Sequence, residues 1–423
     1  MNNHYNLIGI GIGLFNLSLA ALLDKTPGVR SLFFDRKHRF DWHSEISFAD
    51  SEMQTSFLKD LVTPVDPTNP YSFMNYLVQK GLFYSFINTN RKSISRREFE
   101  MYCQWVSENL QDQLKFSCDI QSVDYDGKHF ILQVNGETYT ADNICIGTGI
   151  VPHIPLFAEK VEGPEVFHAK SSYLKILDAT NKDIVVVGGG QTGLEIFRNC
   201  LQGKWGPPKS LKLISSRANL EPLDNSPFVN EYFAPSYVEE FLGLDQSMKD
   251  PIVKYQKLAS DGNTPEYLDL LYRDLYQLKH VYGDKREIQV LPFRRVVDIN
   301  AAEGRYDLRI RNGFTHKTEI AQADTVILST GFRVNIPALI EPLRPQIDFD
   351  SEGRFKLSKN FDVAWSGSEK NKIYALNFSR HGHGISEPQT SLMAWRSATI
   401  INDLTKKQIF PIKNVVSNFV TYT

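Results

Sequence analysis

Gly11, Gly13 and Asp35 form one set of residues spaced to hold a dinucleotide, and Gly188, Gly190 and Gly193 belong to a second. The stretch "YNLIGIGIGLFNLSLAALL", Tyr5 to Leu23, reads as an apolar strand, a turn with two glycines and an apolar segment at helical spacing. Gly11 allows a tight turn off the strand. Gly13 keeps side-chain atoms away from the place where a pyrophosphate meets the positive end of the helix. Asn16 stands where the fingerprint carries its third glycine, a position that sets helix-to-strand closeness and tolerates a small polar residue. Asp35, 24 positions after Gly11 in "SLFFDRK", offers a carboxylate to a ribose hydroxyl. The second stretch, "DIVVVGGGQTGLEIF", keeps all three glycines. Its following strand, "LKLISSR", ends in Ser215, Ser216 and Arg217 where the first unit has an acid. Hydroxyls and a guanidinium in place of a carboxylate favour a 2′-phosphate, hence NADPH over NADH. Two units imply two dinucleotides, and an acidic ribose anchor beside an NADPH unit reads as FAD. Together they could pass electrons from a nicotinamide to a flavin.

The elements that must position these residues are strand-turn-helix units, so the expected fold class is α/β, a flavoprotein with two Rossmann-like dinucleotide-binding domains. Two joins have one form: "ADNICIGTGIVPHIP" and "ADTVILSTGFRVNIP" each give an acid, a buried strand, a Thr-Gly turn and a proline. The Thr148-Gly149 and Thr330-Gly331 pairs let a crossing backbone pass close to a cofactor. This predicts an FAD domain from residues 1–170 and 325–423, interrupted by an NADPH domain over 171–324. Within the latter, residues 220–282 are helical in pattern and rich in Tyr and Phe, a small region suited to core packing or to walling a substrate pocket. At 423 residues and a net charge of −2, the chain can bury more than one core and has no basic field for nucleic acid. It shows no 18-residue apolar run and no signal-peptide pattern, so a cytoplasmic enzyme without a transmembrane segment is expected. Cys103, Cys118, Cys145 and Cys200 are scattered without a Cys-x-x-Cys pair, which excludes electron transfer to such a redox disulfide. No His or Cys spacing suggests a metal site, and His381 with His383 in "RHGHG" reads as a loop.

The chain resembles the flavin-dependent N-hydroxylating monooxygenases of siderophore biosynthesis, and is most similar to their lysine N6-monooxygenase and diamine-hydroxylating branch. The resemblance runs nearly end to end through "GIGLFNLS", "FDWHSEI", "MQTSFLKDLVTPVDPTNPYSFMNYL", "SRREFEMYCQWV", "VVVGGGQTG", "DNSPFVNEYFAP", "LSTGF" and "HGISEPQTSLMAWRSA". In that family Asn commonly stands where Asn16 does, whereas Leu14 replaces the usual Pro; a looser turn with retained FAD binding is expected. The resemblance implies that NADPH reduces FAD, that O2 forms a C4a-hydroperoxide on it, and that the distal oxygen passes to a primary amine. It places Trp42, His43, Gln54, Thr330, Asn377 and Leu392 by the flavin, Lys59 in the substrate site, and Asn230 between substrate and nicotinamide ribose. It also implies a small amine substrate and no metal, and an oligomer of identical chains is expected. Ornithine members carry an Asn-Tyr-Ser segment where this chain has Ala259, Ser260, Asp261 and Gly262, so an ornithine contact is missing. Lysine, putrescine and cadaverine stay open, with a slight preference for a diamine. The alternative is a Baeyer-Villiger or sulfur-oxidising flavin monooxygenase. That class carries Phe-x-Gly-x-x-x-His-x-x-x-Trp before the second fingerprint, and "GPEVFHAKSSYLK" keeps His168 without the spacing or the tryptophan.

Overall fold

The computed structural model describes residues 3–412 and 419–422. The strand His4–Ile10 lies inside a sheet covered on both faces: Leu7 points into one apolar cluster, Ile8 and Ile10 into another. Such double burial is what a near-continuous apolar run predicts for parallel strands. The helix Leu14–Leu23 follows and is buried at every position except Phe15. An all-round apolar helix must be enclosed, and this one is wedged between the sheet and the helices Arg96–Asn109 and Met393–Thr405.

In the first sheet the order is Leu114–Lys115, Ser31–Phe34, His4–Ile10, Glu137–Ile146, Phe130–Val134, Ile120–Tyr125. The first four strands run parallel, and the last two add an antiparallel meander. Ile373–Ala375 returns from the C-terminal part to pair in parallel with Ile144–Ile146. The second sheet is wholly parallel, in the order Glu287–Leu291, Ser210–Ile214, Asp183–Val187, Thr325–Leu328, Val166–His168. A three-stranded antiparallel sheet, from Arg294 to Ala323, caps one of its faces.

Two segments cross between the units as an antiparallel pair, Ile150–Pro152 with Phe332–Val334. The Thr330 hydroxyl donates to the His153 carbonyl, and His168 Nε2 lies 2.9 Å from the Gly331 carbonyl, which ties the crossings together. Two strands assigned to the first unit by the sequence boundaries at 170 and 325, Val166–His168 and Thr325–Leu328, pair inside the second sheet. The changeovers therefore sit at the Thr-Gly turns themselves.

Residues 229–281 form helices as the pattern predicts, among them Pro235–Leu242, Gln246–Tyr255 and Pro265–Tyr276. Tyr267 and Leu271 fill the second domain's core, whereas Tyr237 and Phe241 pack on Gly384 of the first. Among the described residues no helix is long and apolar enough to cross a membrane.

Candidate active site

A cleft of about 860 Å³ opens at the C-terminal ends of the first sheet's parallel strands, where open α/β sheets bind ligands. Gly11, Gly13, Asp35, Trp42, His43 and Asn377 all line it. Gly11 adopts φ +88°, and a Cβ there would lie 2.7 Å from the Gly147 carbonyl oxygen, so only glycine fits. Gly13 differs, since a Cβ would meet nothing nearer than 3.8 Å. The space in front of it is free for a ligand's phosphates. Asp35 Oδ2 accepts from the Ile12 amide at 2.7 Å and Oδ1 from the Lys37 amide at 2.9 Å. These bonds hold the carboxylate at the cleft wall with lone pairs left for a ribose.

Asn16, counted with the cofactor-binding residues by its place in the fingerprint, sits at the contact of helix and strand. It is wholly buried and does not face the cleft. Its Nδ2 donates to the Gly11 carbonyl at 2.8 Å and also lies near the carbonyls of Ile10 and Cys145, while the Cys145 thiol donates to its Oδ1 at 3.2 Å. Asn16 thus fixes the turn's carbonyls. His43, with φ 55°, has its pKa pushed down to about 3 by burial and by the nearby Lys170 and Arg96, so its ring is neutral. Trp42 packs edge-on against Phe99 beside it.

On the second sheet, Gly188 has φ +129° and Gly193 packs under the Gly188 carbonyl, while a Cβ on Gly190 would meet no atom within 4 Å. This is again an open cradle before a helix N-terminus, Gln191–Leu201. Arg217 Nη2 donates to the Asp261 carbonyl at 2.8 Å, and its Nη1 is buried without a partner among the described residues. An orphaned guanidinium nitrogen at this place suits a phosphate. Ser215, also expected at the ligand, is buried beneath Gly189 and accepts from the Arg217 amide at 3.2 Å. Its role is to shape the strand end, and Ser216 is the exposed hydroxyl.

The long "SFLKDLVTPVDPTNPYSF" run folds around Asp60. This buried carboxylate accepts from the amides of Val62, Thr63 and Phe73 and from the Thr63 hydroxyl, all within 2.9 Å. Asp60 is therefore not a surface partner for Lys59. The Lys59 ammonium is half-buried and makes no ion pair or hydrogen bond among the described residues; burial alone pushes its pKa below the ordinary lysine value. Gln54 is exposed. The adjacent Thr55 hydroxyl lies 3.4 Å from that of Ser391, which brings the start of this run beside Leu392. Leu392 itself is buried in the core, and its neighbours Pro388 and Thr390 reach the cleft. Asn230 is exposed in the turn Val229–Phe233, where its Nδ2 donates to the Asn225 carbonyl at 3.2 Å. It lies outside the cleft's lining, as do Gln54, Lys59 and Thr330.

Sequence reasoning missed the pair behind the cleft, Glu387 and Arg396. Both are buried, 3.7 Å apart. Glu387 accepts from the amide of Asn377, whose φ is +69°, and the Arg396 guanidinium lies 4.1 Å from the centre of the Phe15 ring, a cleft residue. Burial raises the Glu387 pKa and lowers that of Arg396 to about 10, while their mutual attraction opposes both shifts. Two charges within "GISEPQTSLMAWRSA", otherwise an apolar and small-residue stretch, were the available signal.

Fold and cleft together define a flavoprotein oxidoreductase with two dinucleotide sites. The chain belongs to the L-lysine 6-monooxygenase/L-ornithine 5-monooxygenase family, whose model matches residues 3–334. It is 39% identical over 414 residues to the L-lysine N6-monooxygenase of Escherichia coli, with 97% of each chain covered. Among solved structures it is similar to the FAD-bound cadaverine monooxygenase of Erwinia amylovora, with TM-score 0.92, 26% identity and 100% and 99% of the two chains covered. It is also similar to the ornithine N-hydroxylase of Kutzneria sp. 744 with reduced FAD, NADP+ and L-ornithine, with TM-score 0.88, 25% identity and 95% and 99% covered. These likenesses leave the Baeyer-Villiger alternative without support.

Proposed function

We propose that this chain hydroxylates the side-chain amine of L-lysine, giving the N6-hydroxylamine from which a hydroxamate siderophore is built. The enzyme is an FAD-dependent N-hydroxylating monooxygenase that uses NADPH and O2. Bound FAD supplies the chemistry of accepting electrons from NADPH and activating O2, and no nucleophile or metal is asked of the protein. The turn at Gly11 and Gly13, with Asp35, would hold FAD; the turn at Gly188 and Gly190, with Arg217, would hold NADPH.

The observation that carries the choice of lysine is the unpaired ammonium of Lys59. A half-buried cation without a carboxylate neighbour is costly, and a substrate carboxylate supplies the missing charge. A diamine would bring a second ammonium to the same place. This reverses the slight preference for a diamine, and the 39% identity to a lysine enzyme supports the reversal. Anchoring the carboxylate sets how far the chain's other end can reach, so the four-methylene side chain of lysine is selected by length. That amine must be neutral to act as the nucleophile, and since a free alkylamine titrates near 10.4, desolvation must favour the uncharged form.

Lys59→Ala tests the reading. Loss of a charge-assisted contact should weaken L-lysine by roughly 1.5–3 kcal/mol, about tenfold or more in KM. Cadaverine turnover should be unchanged or improved. Hydroxylamine product must be measured beside NADPH loss, because a disturbed pocket can release H2O2 while NADPH is still consumed. Equal kinetics of parent and variant with every accepted amine would remove Lys59 from the pocket.

A further inference from the structure

Three side chains far apart in sequence, His4, His129 and Asp142, meet at the end of the first sheet remote from the FAD cleft. One ligand atom from each lies within 4.8 Å of the others. His4 Nε2 and His129 Nδ1 each lie 3.2 Å from Asp142 Oδ1. We propose that this cluster is a binding site for a first-row divalent transition-metal cation of zinc-like preference.

Strand register builds it. His4 stands opposite Thr140 in the parallel pair of His4–Ile10 with Glu137–Ile146, so Asp142, two residues beyond, projects from the same face. His129 immediately precedes the strand Phe130–Val134, whose Phe130 pairs with Ala141. The turn before it is fixed by Asp126 Oδ1, which accepts from the amides of Lys128 and His129 at 2.8 and 2.7 Å.

Two of the three ligand-atom spacings suit a metal. Ligand atoms about 2.0–2.1 Å from a tetrahedral zinc lie roughly 3.3 Å apart, against the observed 3.2 Å for both nitrogen-oxygen pairs. Outer contacts orient two of the three ligands. His4 Nδ1 lies 3.0 Å from the Thr140 hydroxyl, which leaves Nε2 as the ring atom facing the site. Asn6 Nδ2 donates to Asp142 Oδ2 at 3.2 Å and turns Oδ1 toward the imidazoles. Such second contacts set tautomer and orientation at metal sites. Two imidazoles and a carboxylate favour zinc, cobalt, nickel or iron(II) over magnesium or calcium, and all three side chains are partly exposed. Without a cation, His129 Nδ1 is a buried nitrogen with no hydrogen-bond partner among the described residues.

The strand from His4 ends at Ile10, six residues and about 20 Å away, where the Gly11 turn begins. A cation here would staple the amino-terminal strand and the 126–129 turn to the sheet without touching the reacting groups.

Untagged, FAD-loaded protein should be titrated with Zn2+ by calorimetry and with Co2+ by its visible spectrum. One equivalent with tetrahedral Co2+ bands is expected. His129→Gln and Asp142→Asn should each weaken binding by more than tenfold with FAD content unchanged. Thr140→Val, which keeps all three ligands, should weaken it about tenfold and serves if a ligand variant fails to fold. Absence of a saturable equivalent in the parent protein, which would leave an ion-pair cluster only, overturns the proposal. So does affinity indifferent to Asp142→Asn or, should that variant not fold, to Thr140→Val.

Discussion

Asn16 shows how one residue can replace a glycine and still serve the same turn. The third glycine of the fingerprint lets helix and strand approach; here the approach is kept by Gly147, where a Cβ would lie 2.5 Å from Asn16 Nδ2. Asn16→Gly should therefore leave the Gly11 carbonyl and the Cys145 thiol unpaired in a buried space, costing about 1–3 kcal/mol. Thermal unfolding and flavin release would both read this, and an unchanged midpoint would contradict it. Arg217→Ala should raise the NADPH KM with little effect on kcat, because a phosphate remote from the reacting atoms contributes uniform binding. Equal efficiency of the parent enzyme with NADH would remove the phosphate role. At this scale the sequence discloses residues that must be small or charged: Gly11, Gly13 and Asp35 stand where spacing puts them. It hides partners such as Cys145, 129 positions from Asn16, and it cannot tell that Ser215 points inward while Ser216 faces out.

The element that matters most for the cleft is the segment from Asn377 to Arg396. Glu387 holds its first turn, Arg396 lies against Phe15 from behind, and each charge depends on the other. Removing one partner of a buried pair leaves an uncompensated charge, so Glu387→Gln or Arg396→Leu alone should destabilise the protein by about 3–5 kcal/mol. The two together should cost less than the sum of the single changes. A double-mutant cycle on unfolding, with FAD content measured alongside, checks this; strict additivity would show the two charges to be independent. The crossing segments were readable because both repeat one pattern of acid, buried strand and Thr-Gly turn. Their boundaries were misplaced because Val166–His168 and Thr325–Leu328 look like any buried strand. Local pattern says that a strand is buried, and only pairing says in which sheet.

Across the whole molecule, the two domains are held by more than the crossings. Arg198 of the second binds Asp50 of the first at 2.6 Å, with Tyr267 donating to the same carboxylate at 3.1 Å, and Glu195, wholly buried, faces Arg96 at 3.8 Å. The helical insert bridges the units through Tyr237 and Phe241 at Gly384, next to buried His383. Burial and Arg396 push the His383 pKa from 6.5 to about 3. Between those values the folded state binds fewer protons than the unfolded one, so stability falls as pH drops below 6.5. The expected loss is about 2 kcal/mol by pH 5. Unfolding midpoints from pH 7.5 to 5 should show it, and His383→Asn should flatten the slope; an equal slope in that variant would assign acid sensitivity elsewhere. Family membership, fold and cofactor pair follow from motifs spread along the whole chain, whereas substrate choice rests on what surrounds one ammonium group. The most direct measurement is hydroxylamine formation by the parent enzyme with NADPH and O2 across L-lysine, cadaverine, putrescine and L-ornithine. The highest kcat/KM is expected with L-lysine, product matching NADPH consumed; a higher value for cadaverine or putrescine would overturn the lysine assignment.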